Sequence, residues 1–156
     1  MHAFISSKID YCNSVLYGLP DKDIDRLQRI QNSAARLVTR SKRSEHITPV
    51  LRELHWLPVR KRITFKINLL TYKVLNGMAP KYLSELITLQ APIRRLRSNA
   101  NDKLRLSQPS CRTKNYGDRA FAICAPRLWN GLPLEIRSAE SIDIFKSRLK
   151  TYLFNL

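Results

Sequence analysis

The side chains of this sequence that could do chemistry are mainly its basic ones. The 156 residues include 28 Lys and Arg against 12 Asp and Glu, which gives a formal net charge of +16 at pH 7. Such an excess of positive charge predicts a polyanionic partner, most often a nucleic acid and less often a membrane surface or an acidic protein. The chemistry expected of these side chains is neutralisation of phosphate charge, with release of condensed counterions.

The basic residues expected to contact a nucleic acid fall into three groups. The first follows one face of a predicted helix and the loop after it, the second begins a later helix, and the third lies in a polar stretch. In order, the groups are Arg26, Arg29, Arg36, Arg40, Lys42 and Arg43; Arg60, Lys61, Arg62 and Lys66; and Arg94, Arg95 and Arg97. The alternative for the first group is a solvated helix face. No acidic residue stands three or four positions after Arg29, Arg36 or Arg40 to neutralise that face.

The sequence lacks the residue patterns of the common catalytic and metal sites. Polymerases hold two metal ions with paired carboxylates, and no Asp-Asp pair occurs here. Cys12, Cys111 and Cys124 do not have the spacing, with histidines, of a zinc site. His46 and Asp118 could act as acid and base, but nothing in their spacing favours it. We therefore expect no catalytic residue, no metal and no cofactor in this chain.

Cysteine use and hydropathy set the expected location. Three cysteines cannot all pair within one chain, which indicates reduced thiols. No secretory signal is recognisable, and no run approaches the roughly 20 apolar residues of a membrane span. These patterns predict an intracellular protein, nuclear or cytoplasmic, that neither spans a membrane nor takes a small-molecule substrate. Helical periodicity begins directly after the first residue, so we also expect a fragment of a longer protein.

Hydrophobic spacing predicts mainly α-helical structure over residues 1–88. The expected helices start at about His2, Asp21, Thr48, Val59 and Pro80. The first is expected to run to Tyr17. The fourth is expected to run to Asn76, where Gly77 provides a left-handed stop, and its two apolar stripes indicate burial on much of its surface. The apolar stripe expected of the second helix consists of Leu27, Ile30, Ala34 and Leu37.

The remaining residues are expected to form a basic linker, 89–102, and a small C-terminal segment, 103–156, packing on or near the helices. Alternation at Leu104 and Leu106 predicts a strand over 103–107, paired with 111–115 as a short β-hairpin. Pro126 and Pro133 are expected to bracket one or two helical turns. Ser141 is expected to cap a final helix that runs to about residue 154.

Three residues have both a functional and a structural interpretation. Trp56, beside His55, could stack on a base, but a core position at a helix corner is favoured. Trp129 is likewise expected in the core. Cys12 lies on an apolar stripe and is expected to be a small buried hydrophobe.

Several short blocks of sequence, taken in their order along the chain, resemble a known protein family. They are DYCNS and YGLP within 10–20, LQRIQN and AARLV within 27–38, HITP and LHWLPV within 46–59, and YGDRAF, APRLWN and LP within 116–133. In this order they resemble the region just past the polymerase core of non-LTR retrotransposon reverse transcriptases, in the jockey-like and chicken-repeat-like LINE lineages. The resemblance covers nearly the whole chain.

The resemblance implies a C-terminal piece of such an enzyme, with a thumb-like helical bundle, a basic connector and a terminal segment. It further implies that the thumb grips a template–primer duplex of RNA or DNA, while catalysis belongs to a palm whose aromatic-x-Asp-Asp motif is absent here. Two alternatives stay open. One is a basic interaction module for an acidic protein, and the other is a retroelement relic with no selected activity.

Overall fold

The computed structural model describes residues 7–90, 104–110, 113 and 117–156, and this part of the chain is mainly helical, as expected. Its helices are α1 (Asp21–Thr39), α2 (Ile47–Glu53), α3 (Val59–Leu75), α4 (Lys81–Ser84), α5 (Phe121–Asn130), α6 (Leu134–Arg137) and α7 (Ile142–Asn155), with 3-10 turns at Asn13–Leu16 and Gly117–Arg119.

Packing divides the chain into two compact units. The first comprises the residues up to Lys66 together with Lys150–Leu156, and the second comprises Ile67–Leu149. The boundaries fall within α3 and α7. The expected division into 1–88, 89–102 and 103–156 stays a prediction, because most of its linker lies outside the described residues.

The core of the first unit forms where α2 packs on α1. Its buried cluster contains Ala34, Ala35, Val50, Leu51 and Trp56. Because two alanines occupy this part of α1, the larger side chains of α2 can approach its backbone closely. Trp56 is only 2% exposed, which confirms the expected core position.

The buried face of α1 differs from the expected stripe. Ala34 is buried as predicted, but Ile30 is 57% exposed and Leu37 is 62% exposed, so the prediction was wrong for both. In their place the fully buried Gln31 turns inward, and its Nε2 donates to Leu57 O at 2.9 Å. A glutamine can occupy this position because its polar group is hydrogen-bonded there.

A second glutamine of α1 fixes the start of α3. The Val59 backbone N–H donates to Gln28 Oε1 at 2.8 Å, which satisfies one of the amides that a helix N-terminus leaves unpaired. Gln28 Nε2 in turn donates to Gln31 Oε1 and to Asn32 Oδ1, at 3.0 and 2.8 Å. The basic first turn of α3 is therefore held against α1 by side-chain hydrogen bonds.

The long helix α3 confirms the prediction closely. It runs from Val59 to Leu75, and Gly77 has the left-handed φ of +67° that ends it. The helix before it, α2, was expected to start at about Thr48 and starts at Ile47, with His46 as N-cap and no side-chain cap hydrogen bond.

The helix expected from about residue 2 to residue 17 is interrupted. Residues 7–10 are helical, but Cys12 has a φ of +50° and the chain continues as the 3-10 turn from Asn13. This left-handed residue shifts the helical periodicity, so Cys12 is exposed and Asn13 is buried. The prediction of a buried Cys12 was wrong for that reason.

Three aromatic rings form the centre of the second unit. The Tyr72 and Phe145 centroids are 4.3 Å apart and the Trp129 and Phe145 centroids are 5.8 Å apart, both in stacked arrangements. Tyr72 Oη donates to Ala139 O at 2.9 Å, which satisfies the buried hydroxyl. Trp129 is 1% exposed, so its expected core position is confirmed.

The extended segment near Leu106 has a pairing that the prediction did not include. Leu106 forms an antiparallel bridge with Leu89, flanked by Gln90 N–H to Arg105 O and Ser107 N–H to Thr88 O, each 2.9 Å. The expected hairpin partner, 111–115, lies outside the described residues except for position 113. Over the described residues 104–107 the structure has this isolated bridge in place of the expected strand, and the pairing with 111–115 stays a prediction.

The last helices confirm one expectation and correct another. The Ile144 backbone N–H donates to Ser141 Oγ at 3.3 Å, so Ser141 caps α7 as predicted. Pro126 lies inside α5 instead of opening a helix after it. Its position has a cost, since proline supplies no N–H to the helix.

Candidate nucleic-acid interface

The first group of predicted ligands lies along α1 and the loop that follows it. Arg26 is exposed and its Nη1 lies 3.7 Å from Asp23 Oδ1, one turn earlier, which makes it part of an exposed ion pair. Arg29 is exposed on the same helix. The described part of the chain contains no hydrogen-bond or ion-pair partner for the Arg29 side chain, so it is open to an external anion.

Arg36 has a role within the fold. Its Nη2 donates to Glu45 O at 2.8 Å, and its Nη1 donates to Lys42 O. One guanidinium therefore joins the last turn of α1 to two carbonyls of the following loop. Arginine suits this position because its planar fork can serve two acceptors at once.

Further hydrogen bonds hold the same loop. Arg40 has a φ of +57° and ends α1, and the Ser41 N–H donates to Arg36 O at 3.1 Å. The Thr39 and Ser41 hydroxyls lie 2.6 Å apart, and the Glu45 N–H donates to Lys42 O at 3.2 Å. Hydrogen bonds of both backbone and side-chain groups therefore hold this loop in place.

Three exposed cations stand on this braced loop, Arg40, Lys42 and Arg43, and we call them the basic turn. Within the described ranges no hydrogen bond or ion pair engages their side chains. Cations near a helix C-terminus also interact favourably with the helix dipole, by roughly 0.3–1 kcal/mol each when exposed. This interaction with the helix dipole is compatible with anion binding, because it leaves the positive charges of the side chains unneutralised.

The second group of predicted ligands is largely occupied within the first unit. Arg60 Nη2 lies 2.8 Å from Asp21 Oδ1, and Lys61 Nζ donates to Leu153 O at 2.8 Å. Arg62 donates from Nη1 to both oxygens of Asp10 and from Nε to Leu57 O. Lys66 is half-buried, and of these four cations it alone has no partner in the described part of the chain.

The third group, Arg94, Arg95 and Arg97, lies outside the described residues. The remaining candidates have local roles. Asp118 accepts from Arg127 Nη2 at 3.0 Å, and His46 is the exposed N-cap of α2.

Metal binding and membrane insertion find no support in the described ranges. No three His, Cys, Asp or Glu side chains there come together in a way that could hold a metal ion. No helix in the same ranges is both long and apolar enough to cross a bilayer.

Sequence reasoning missed one feature of the second unit, a polar cleft of about 550 Å³. Its lining residues are Gln90, Arg105, Leu106, Ser107, Gln108, Arg127, Asn130 and Gly131. The alternation of Arg105 and Ser107 with Leu106 was the available signal, since it turns both polar residues away from the core.

Comparison with known proteins gives no match to any protein-family model, to any curated protein or to any solved structure.

Proposed function

We propose that this chain binds a nucleic acid through its phosphate backbone, with Arg29 and the basic turn as the main contacts. The observation that carries the proposal is the Arg36 brace between α1 and the loop from Lys42 to Glu45. Because this guanidinium is engaged inside the fold, it orders the loop and leaves the neighbouring cations exposed. An ordered set of cations loses less conformational entropy on binding than a mobile one.

The contacts proposed here are with phosphate and not with bases. Both tryptophans are buried and are therefore excluded from stacking on a base. The proposed ligands are long cations on a helix and a loop, which position a protein on the backbone but carry no sequence information. Binding is therefore expected to depend strongly on salt and only weakly on sequence.

The narrower proposal is that the bound nucleic acid is a template–primer duplex. Its support is the ordered resemblance to the thumb and post-thumb region of non-LTR retrotransposon reverse transcriptases, together with the mainly helical fold that the resemblance implies. In this proposal the chain grips the duplex, and polymerase chemistry belongs to a palm that supplies the paired carboxylates. The purified chain is then expected to incorporate no dNTP on a primed RNA template with Mg²⁺ or Mn²⁺.

A second candidate function is favoured by a specific observation on α1. Ile30 and Leu37 are exposed about two turns apart on one face of α1, Val38 is exposed next to Leu37, and all three share the helix with Arg29. Such an apolar and basic helix surface also fits an acidic protein partner with an apolar centre.

A titration of labelled nucleic acid with the full chain tests the proposal. Fluorescence anisotropy would be measured at several salt concentrations on an RNA–DNA hybrid, on a second hybrid of unrelated sequence and on single-stranded RNA. The proposal predicts binding that weakens linearly in log K against log salt, and equally for both hybrids. Absence of binding at low salt, or equal displacement by polyglutamate at the same charge concentration, would instead favour the acidic-protein partner.

A further inference from the structure

The polar cleft of the second unit brings Arg105 and Arg127 together from two different elements of the fold. We propose that it binds the phosphodiester backbone of a single nucleic-acid strand, with Arg105 and Arg127 as the phosphate ligands. This inference rests on the proposed function, because it adds a second backbone contact to the same activity. It concerns residues that none of the three predicted basic groups includes.

One wall of the cleft is built by an unusual pairing between a side chain and a backbone. Asn130 Oδ1 accepts from the Leu106 N–H, and Asn130 Nδ2 donates to Leu106 O, both at 2.9 Å. Trp129 Nε1 donates to Leu104 O at 2.8 Å. The end of α5 thereby pairs with both the N–H and the C=O of Leu106 and holds the extended segment against the helix.

The same pairing orients the two guanidinium groups. Leu106 points into the core at 1% exposure, so its neighbour Arg105 points outward from the extended segment. Arg127 precedes Asn130 by three residues on α5, which places both on one side of that helix. Arg105 and Arg127 therefore line one cleft from two different elements.

The lining defines the class of ligand. A volume of about 550 Å³ lies within the usual ~300–1,000 Å³ of ligand sites, but such sites are mostly apolar and this one is not. Among the lining residues that the structure describes, Leu106 is the only large apolar one, and it is almost wholly buried. The cleft is therefore suited to a hydrated, anionic ligand.

Phosphate chemistry fits the two arginines best. A guanidinium can donate two parallel hydrogen bonds to phosphate oxygens, and charge-assisted bonds of this kind are stronger than neutral ones. Gln90, Ser107 and Gln108 add exposed amide and hydroxyl groups that can hydrogen-bond sugar hydroxyls. Among the lining residues that the structure describes there is no aromatic side chain, so the contacts expected from them are with phosphate and sugar and not with the face of a base.

The Asp118 carboxylate competes with the ligand for Arg127. Asp118 Oδ1 lies 3.0 Å from Arg127 Nη2, and both side chains are partly exposed. An exposed ion pair of this kind contributes only about 0–1 kcal/mol, so a phosphate can displace the carboxylate. Removing that carboxylate should therefore strengthen phosphate binding, whereas removing the guanidinium should weaken it.

The test compares three variants of the full chain on a 12-nucleotide single-stranded RNA. They are the double variant Arg105→Gln with Arg127→Gln, the single variant Asp118→Asn, and the double control Lys73→Gln with Lys81→Gln, which removes the same charge from the same unit. The first is expected to lower the salt slope of log K by roughly 1.4, at about 0.7 for each single-strand contact removed. Asp118→Asn should tighten binding severalfold at low salt, and the control should leave the slope nearly unchanged.

Backbone amide shifts of Ser107, Gln108 and Gly131 locate the ligand directly. They should move on addition of the RNA, but not on addition of AMP or inorganic phosphate at the same concentration. Equal responses to AMP or phosphate would overturn the strand proposal in favour of a free anion. If the parent binds RNA and the cleft variants match it in slope, the cleft inference fails while the proposed function stands. If the parent binds the RNA–DNA hybrid but not the single-stranded RNA, the cleft inference alone fails, and if it binds neither, both fail.

Discussion

Arg62 and Asp10, 52 positions apart in the sequence, form a two-oxygen contact in which Arg62 Nη1 lies 2.8 Å from Oδ1 and 2.7 Å from Oδ2. The Arg62 side chain is only 13% exposed, and its Nε also donates to Leu57 O at 2.9 Å. A guanidinium that the sequence marked as a phosphate ligand thus ties the N-terminal segment to the start of α3. The proposed interface accordingly relies on Arg29 and the basic turn.

Replacing Arg62 should affect stability more than binding. Arg62→Gln removes three charge-assisted hydrogen bonds from a largely buried site, and we expect a loss of about 2 kcal/mol in the free energy of unfolding. Urea denaturation followed by far-UV circular dichroism measures that loss.

Arg60→Gln is the matched control for this change. Both side chains of the Arg60–Asp21 ion pair are exposed, so its loss should lower the free energy of unfolding by well under 1 kcal/mol. Equal stability of the two variants would contradict the structural role of Arg62. If only Arg62→Gln lowered the slope of log K against log salt in nucleic-acid binding, Arg62 would have to be a phosphate contact.

Trp56→Ala should destabilise the first unit strongly. The ring is 2% exposed within the cluster of Ala34, Ala35, Val50 and Leu51, and truncation of such an aromatic costs roughly 3–5 kcal/mol. That is a large share of the ~5–15 kcal/mol that stabilises a typical domain. Thermal denaturation measures the change. A variant that melts like the parent but binds RNA more weakly would support base stacking instead.

The sequence predicted the elements whose signals are local. The span of α3 follows from apolar spacing and from Gly77, and the start of α7 follows from the Ser141 cap. Trp56 and Trp129 were placed in the core because large aromatic side chains gain most from burial. Each of these inferences depends on residues within a few turns of one another.

The failures of sequence reasoning have a common physical cause, which is that tertiary contacts overrode local patterns. Ile30 and Leu37 are exposed because Gln31 and the two alanines beside it face α2 and the α2–α3 connection instead. Leu106 forms an isolated bridge with Leu89, a contact that the local alternation could not indicate.

The candidate site shows the same limit. The sequence was enough to single out the cations of the basic turn, because they are close together in the chain. It could not separate these exposed cations from Arg36 and Arg62, whose partners lie in other segments. Whether a cation is satisfied inside a fold is a tertiary property that charge spacing does not encode.

Arg36→Lys tests the brace without removing charge. Lysine cannot serve two carbonyls with a planar fork, so the loop from Lys42 to Glu45 should lose order. Amide hydrogen exchange at Ser41 and Glu45 should become faster, and affinity for the hybrid should fall severalfold with an unchanged salt slope.

The control for the brace is Arg52→Lys, an exposed position of α2 whose side chain has no hydrogen-bond or ion-pair partner among the described residues. It should leave both exchange and affinity near those of the parent. If Arg36→Lys has the affinity of the parent although exchange is faster, loop order does not contribute to binding.

The buried thiol of Cys124 should make the protein less stable at alkaline pH. Burial raises the pKa of its thiol from 9.0 to about 11. Between these values the unfolded chain has released the proton and the folded chain retains it, so the free energy of unfolding falls as pH rises from about 9 to about 11. Below pH 9 the contribution is fully present.

Urea denaturation at pH 8 and pH 10.5, in parent and Cys124→Ala, isolates this effect from the lysine and tyrosine titrations that both chains share. The parent should lose more stability between the two pH values than the variant does. Identical losses would mean that the Cys124 thiol ionises equally in both states.

The central claim, that Arg29 and the basic turn contact phosphate, is tested most directly by a salt titration of the triple variant Arg29→Gln, Arg40→Gln and Arg43→Gln. The control is the triple variant Lys22→Gln, Lys73→Gln and Lys81→Gln, which removes the same charge from positions without a partner in the described ranges. Lys22 lies near the opposite end of α1, about 27 Å from Arg40. Glutamine has a helix propensity close to that of arginine and lysine, so stability should change little in either variant.

Binding of both variants and the parent to an RNA–DNA hybrid would be measured at several salt concentrations. We expect the slope of log K against log salt to fall by roughly 0.7–0.9 for each phosphate contact removed, and therefore by about 2–3 in the triple variant, with the control close to the parent. The loss should be the same on a hybrid of unrelated sequence. A slope that falls equally in both variants, or in neither, would contradict the assignment of phosphate contacts to Arg29 and the basic turn.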